Sequence, residues 1–156
     1  MEDNIFIERF HSFFEFVVKP KALPMGFLDP GCGEKEELEV LLGRDVDELD
    51  DDVLSRAGTA WQYFDSTYVN YYLPGIIWVS YKNLTGNHPL IVDDIFSEIL
   101  MEYDVNGLTN DFKKKWEGLN IAQLELVEEW LVELLKGKPR EVSKIKAVLS
   151  RMKAMT

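Results

Sequence analysis

The chain has a single cysteine, Cys32, and two histidines, His11 and His88, in 156 residues. One thiol forms no intrachain disulfide and supplies no thiolate metal cluster. The histidines lie far apart, one on an aromatic N-terminal segment and one in a turn before Pro89, without a neighbour at metal-ligand spacing. Neither a metal nor any other cofactor is therefore expected. No uninterrupted apolar stretch approaches the roughly 20 residues that cross a bilayer, so no membrane association is expected. The opening stretch MEDNIFIERFHSFFEFVV is apolar, but it begins with Glu2 and Asp3 where a secretory signal needs bases, and Glu8, Arg9, His11 and Glu15 interrupt it. No useful length of chain alternates apolar and polar residues, which argues against a sheet. Bases are also scarce, with 17 Lys and Arg against 28 Asp and Glu and a net charge of −11. Nucleic-acid binding needs a basic footprint, so a DNA or RNA ligand is not expected. These absences leave a soluble protein of a reducing, cytoplasmic compartment.

What is present fits one compact core: the length suits a single domain over residues 1–156, and aromatics make up 12% of the chain. The charge is unevenly placed. Through Leu135 there are 27 acids and 10 bases, whereas from Lys136 onward there are 7 bases and one acid. An acidic body with a basic end favours a basic protein as partner.

Apolar periodicity predicts an all-α bundle of six to eight helices without internal repeats. Helices are expected over Asn4–Val18, Glu34–Leu42, a short piece after DVDELDDD, Ser66 to about Leu84, Leu90–Tyr103, Thr109–Glu117, a segment begun by the Asn120/Gln123 capping box, and Arg140 to about Met155. The stretch KPKALPMGFLDPGCG reads as loop. The helix holding YYLPGIIWVSYKN is apolar nearly all round and belongs at the bundle centre, with Trp78 and, from a later helix, Trp130 buried. Pro74 cannot donate to the Asn70 carbonyl, which predicts a kink there, and Gly75 beside it lets a neighbouring helix approach. Asn70, Tyr71 and Tyr72 then form a polar notch, either satisfied internally or opening into a cleft.

The most conspicuous surface feature is the run Asp45, Asp47, Glu48, Asp50, Asp51 and Asp52. It is not an EF-hand: Leu49 stands where an oxygen ligand is required, Asp50 where Gly is required and Arg56 where Glu is required. Two readings remain, a solvated set of helix N-terminal charges or a docking patch for a basic protein. Glu98–Glu102 and Glu125–Glu129 are spaced to share helix faces, and such pairs read as solvated charge rather than a hydrolytic dyad. Cys32 sits in Pro-Gly-Cys-Gly, where a lone thiol is more often incidental than reactive.

Phe64 followed by Tyr72-Leu73-Pro74, with the later FKKKWEGLNIAQLELVEEWLVELL, resembles a bacterial family known only as a domain of unknown function. Members of that family pair an F-x-x-Y-L-P helix with a later helix carrying L-T-x-x-Q. The resemblance covers about residues 36–135, rests mostly on packing positions and implies no active site; Asn-Ile-Ala-Gln stands here where that family prefers Leu-Thr-x-x-Gln. A weaker similarity joins the Tyr71-Tyr72 pair, near a proline and acidic residues, to the toxin-binding segment of colicin-type immunity proteins.

The sequence thus points to a small acidic binding protein rather than an enzyme. Its expected role is an immunity-type inhibitor that occludes a basic toxin or another basic protein through Asp45, Asp47, Glu48, Asp50, Asp51, Asp52, Tyr71 and Tyr72. The alternative is a small-molecule or housekeeping domain that uses the Asn70–Tyr71 notch, and a homodimer with a structural role is a third reading.

Overall fold

The structure is a computed structural model describing residues 8–9, 18–81, 88–105 and 107–156. Almost all of the helix expected over Asn4–Val18, with His11, lies outside the described residues. The described residues form seven α-helices, two 3-10 turns and no strand. They are α1 (Glu34–Leu41), α2 (Asp51–Arg56), α3 (Ser66–Tyr81), α4 (Leu90–Glu102), α5 (Asn110–Trp116), α6 (Ile121–Leu134) and α7 (Pro139–Ala154). The 3-10 turns are Val46–Glu48 and Ala60–Tyr63.

Local chemistry sets the helix starts. Asp50 accepts from the Val53 amide at 2.8 Å to open α2, and Asp65 accepts from the Tyr68 amide at 3.0 Å to open α3. The expected capping box is present at α6, where Asn120 and Gln123 each accept the other's amide, at 2.8 and 2.9 Å. Pro139 begins α7, where its missing N–H costs no hydrogen bond.

The apolar α3 is central as expected. It packs against α2, α5, α6 and the Val46–Glu48 turn, while α4 packs against α2, α7 and the Ala60–Tyr63 turn. The last two helices, α6 and α7, pair with one another. One contiguous cluster of buried residues runs from Leu38 to Met152. Within it an aromatic series passes from Phe112 through Trp116, Trp61, Phe64 and Tyr72 to Tyr71, successive rings lying 4.9–6.1 Å apart.

Two details differ from the sequence expectation. Gly75 does admit close packing, but of the Val46–Glu48 turn and Leu49 rather than of a helix: a Cβ there would sit 2.5 Å from Leu49 Cδ1 and 2.9 Å from Val46 Cγ1. Trp78 is only half-buried, whereas Trp130 is fully enclosed and donates its indole N–H to Ser80 Oγ at 2.8 Å. A helix surrounded on most sides still has a flank, and Trp78 lies on it.

Candidate functional site

All six acids of the 45–52 run are exposed. Four of them have local duties. Asp45 pairs with Lys19 at 2.7 Å, which holds its carboxyl below the ordinary range, and Glu48 closes a capping box by accepting the Asp45 amide at 3.0 Å. Asp50 caps α2, and Asp52 pairs with Arg56 one turn on at 3.1 Å. Asp47 and Asp51 have no partner among the described residues. The run is seated on the core by Leu49, which is buried over Gly75. Counted with its flanks, residues 34–65 carry eleven acids and three bases, a charge of −8.

The basic C-terminal helix does not cancel this charge. It packs on α4 and α6, and three of its five cations are used there. Arg151 donates to the carbonyls of Glu102, Tyr103 and Val105 at 3.2–3.3 Å, closing the C-terminal end of α4. Lys153 pairs with Glu128 at 3.3 Å, and Lys144 lies over the Tyr103 ring. Among the described residues, the ion pairs of the acidic run come from Lys19 and Arg56.

Tyr71 and Tyr72, expected at the binding surface, are placed in the core. Tyr72 has no exposed surface and donates to the Leu41 carbonyl; Tyr71 is 8% exposed, with its hydroxyl 3.5 Å from Asp45 Oδ1. Burial raises both phenol pKa values. The Asn70 amide is likewise engaged, donating to the Ser66 carbonyl at 2.6 Å and to the Glu117 carbonyl at 3.3 Å. The polar notch is therefore satisfied internally, and Asn70 ties α3 to the turn after α5. Tyrosine next to proline and carboxylates reads as an interface only until the surrounding apolar positions are folded around it.

The sequence reading missed a second charged cluster. Glu98, expected to be solvated beside Glu102, accepts at one oxygen from the indoles of Trp61 and Trp116, at 2.9 and 3.1 Å. Its other oxygen pairs with Lys115 at 2.7 Å, and Lys115 also donates to the Trp61 carbonyl at 2.7 Å while lying over the Trp61 ring. Burial lowers the Lys115 pKa against the opposing pull of Glu98. One turn earlier on α4, Asp94 has an enclosed oxygen, Oδ2, without a hydrogen-bond partner, and burial raises the pKa of its carboxyl. Glu102 is buried too, accepting from the Thr109 amide and hydroxyl at the start of α5. The available signal was the number of tryptophans: a buried indole N–H needs an acceptor, and neighbouring helices offer few neutral ones.

Of the remaining candidates, Cys32 is exposed and donates weakly to the Pro30 carbonyl, and Glu129 pairs with Arg9 at 2.9 Å. No group of three metal-ligating side chains occurs among the described residues. No described helix is long and apolar enough to cross a membrane. No family model matches the chain, and neither the curated proteins nor the solved structures contain a match.

Proposed function

We propose that the chain is a small cytoplasmic binding protein, without catalysis of its own, that captures a basic protein on the face formed by α1, the Val46–Glu48 turn and α2. An immunity-type inhibitor that occludes a basic toxin is the form of this role that suits a compact acidic domain best. The observation that carries the reading is that α7 packs on α4 and α6, where Lys144, Arg151 and Lys153 are engaged, while the ion pairs of the acidic run among the described residues come from Lys19 and Arg56, so residues 34–65, −8 by count, keep most of that charge. A concentrated field of one sign accelerates encounter with an oppositely charged partner and is screened by salt. Four of the six acids in the run also serve structural ends, so the charge sits on a fixed scaffold rather than a flexible tail.

The test replaces Asp47, Glu48, Asp50 and Asp51 by their amides. Asn caps a helix about as well as Asp, and Gln preserves a capping box, so the variant removes charge while keeping the local fold. A basic protein retained by the wild-type chain should associate several-fold more slowly with this variant, and the wild-type rate should fall toward the variant's as salt rises. Association unaffected by both the substitution and salt would refute the reading.

A further inference from the structure

A cleft of about 210 Å3 lies between α5, the turn that follows it and the last turn of α7. Its walls are Leu108, Phe112, Trp116, Leu119, Leu124 and Met152, with the exposed Met155 also lining it. The geometry is held from behind. Phe112 and Trp116 stack at 5.7 Å and 29°, and the Trp116 indole is fixed by its hydrogen bond to Glu98. The floor turn is fixed by Asn70, which donates to the Glu117 carbonyl; Gly118 has φ +95°, and a Cβ there would meet Asn70 Nδ2 at 2.8 Å.

The lining selects a chemical class. Lys113 and Glu117, which also line the cleft, carry opposite charges that offset one another. A charged group entering the apolar interior would lose its hydration without a matched partner. Phe112 and Trp116, each 4% exposed, add a narrow strip of aromatic surface to the wall, and the two methionines are adaptable side chains that pack well against rings. An apolar cavity of about 150 Å3 is known to take benzene, so this larger cleft has room for one or two rings. We propose that it is a binding site for an uncharged aromatic molecule of one or two fused rings, about the size of indole. This site is separate from the acidic face and does not depend on the partner proposed for that face.

Indole is the probe, added to the uniformly 15N-labelled full chain, with the Gly118 amide and the Trp116 indole N–H as reporters. Both signals should shift saturably. Tryptamine and indole-3-acetate, which add one charge of either sign, should bind about tenfold more weakly or worse, a difference of about 1.4 kcal/mol. Leu108→Trp and Met155→Trp each place a ring in the cleft from positions outside the buried core, and both should abolish saturation while the rest of the spectrum stays folded; two variants guard against one failing to fold. Absence of a saturable shift, or a shift that survives in a folded variant, would overturn the proposal. Tighter binding of either charged analogue would assign another ligand class and overturn it too. Tighter binding of N-acetyltryptophanamide than of indole would assign the cleft to a side chain of a protein partner, again against the proposal.

Discussion

Gly75→Ala tests how the acidic run is mounted on the core. In an isolated helix this change is favourable by about 1 kcal/mol, because alanine loses less backbone freedom on folding. Here the new methyl would lie 2.5 Å from Leu49 Cδ1, 2.9 Å from Val46 Cγ1 and 3.2 Å from the Val46 carbonyl oxygen. Leu49 is 6% exposed and has little room to turn away, and the carbonyl belongs to a backbone turn closed by its own capping box. Overpacking of this kind costs about 1–3 kcal/mol, so the steric loss exceeds the propensity gain and the variant should be destabilised by up to about 2 kcal/mol. For a chain of this length that corresponds to a fall in Tm of up to about 8 °C. The assay is urea denaturation of a double-mutant cycle with Leu49→Ala. Leu49→Ala removes the nearest obstructing atom, so adding Gly75→Ala in that background should cost less than it does in the wild type, or should stabilise. Stabilisation by Gly75→Ala alone, or a coupling energy of zero, would refute the reasoning.

Three further outcomes are expected. Trp130→Ala should destabilise by about 3–5 kcal/mol, measured by denaturation midpoint, because it empties a fully enclosed site and strips Ser80 of a donor. Glu98→Ala should cost about 3 kcal/mol, since it leaves two indole N–H groups without their acceptor and the largely buried Lys115 ammonium without its counter-ion; an unchanged midpoint would show that the cluster is not structural. Asp94→Asn should raise the Tm at pH 7. Burial raises the Asp94 pKa, with Asp93, Glu98 and Glu37 adding to it, so the folded chain takes up a proton more readily than the unfolded one in the window just above 3.8. The charged form therefore opposes folding above that window, and the advantage of the variant should shrink as pH falls through it. Asp94 also supports the charge on Lys115, but it is the smallest of the influences there, so relief of its own desolvation prevails.

How far the fold could be read in advance depended on whether the deciding contact was local. The α6 capping box needs only Asn120 and Gln123, three positions apart, and the caps of α2 and α3 are equally short-range; these elements are legible from sequence. The limits of α4, expected at Leu90–Tyr103 and found at Leu90–Glu102, follow from Pro89 and a plain apolar period. The Glu98 cluster joins residues 17, 18 and 37 positions away, and nothing in the i, i+4 spacing with Glu102 reveals that both carboxylates turn inward. The same limit applies to Tyr71 and Tyr72: their chemistry suits a surface or a core equally, and the enclosing turn at Leu41–Val46 decides between them. Whether α7 lies across the acidic run was also a tertiary question, and its pairing with α4 and α6 answers it.

The cluster around Glu98 also bears on the order in which the chain matures. All its members fall between Trp61 and Lys115–Trp116, a loop of 54 positions for its longest hydrogen bond, and none comes from α6 or α7. Contacts of modest sequence separation form early, and on the ribosome the earlier segments emerge first. The middle of the molecule can therefore close around its buried charge before the last two helices have been synthesised. Until then the side of α4 that meets α7 is bare, and the carbonyls of Glu102, Tyr103 and Val105 await Arg151. On this order the C-terminal helix covers the bare side of α4 last, and the interval before it arrives leaves that side open to proteases and to aggregation.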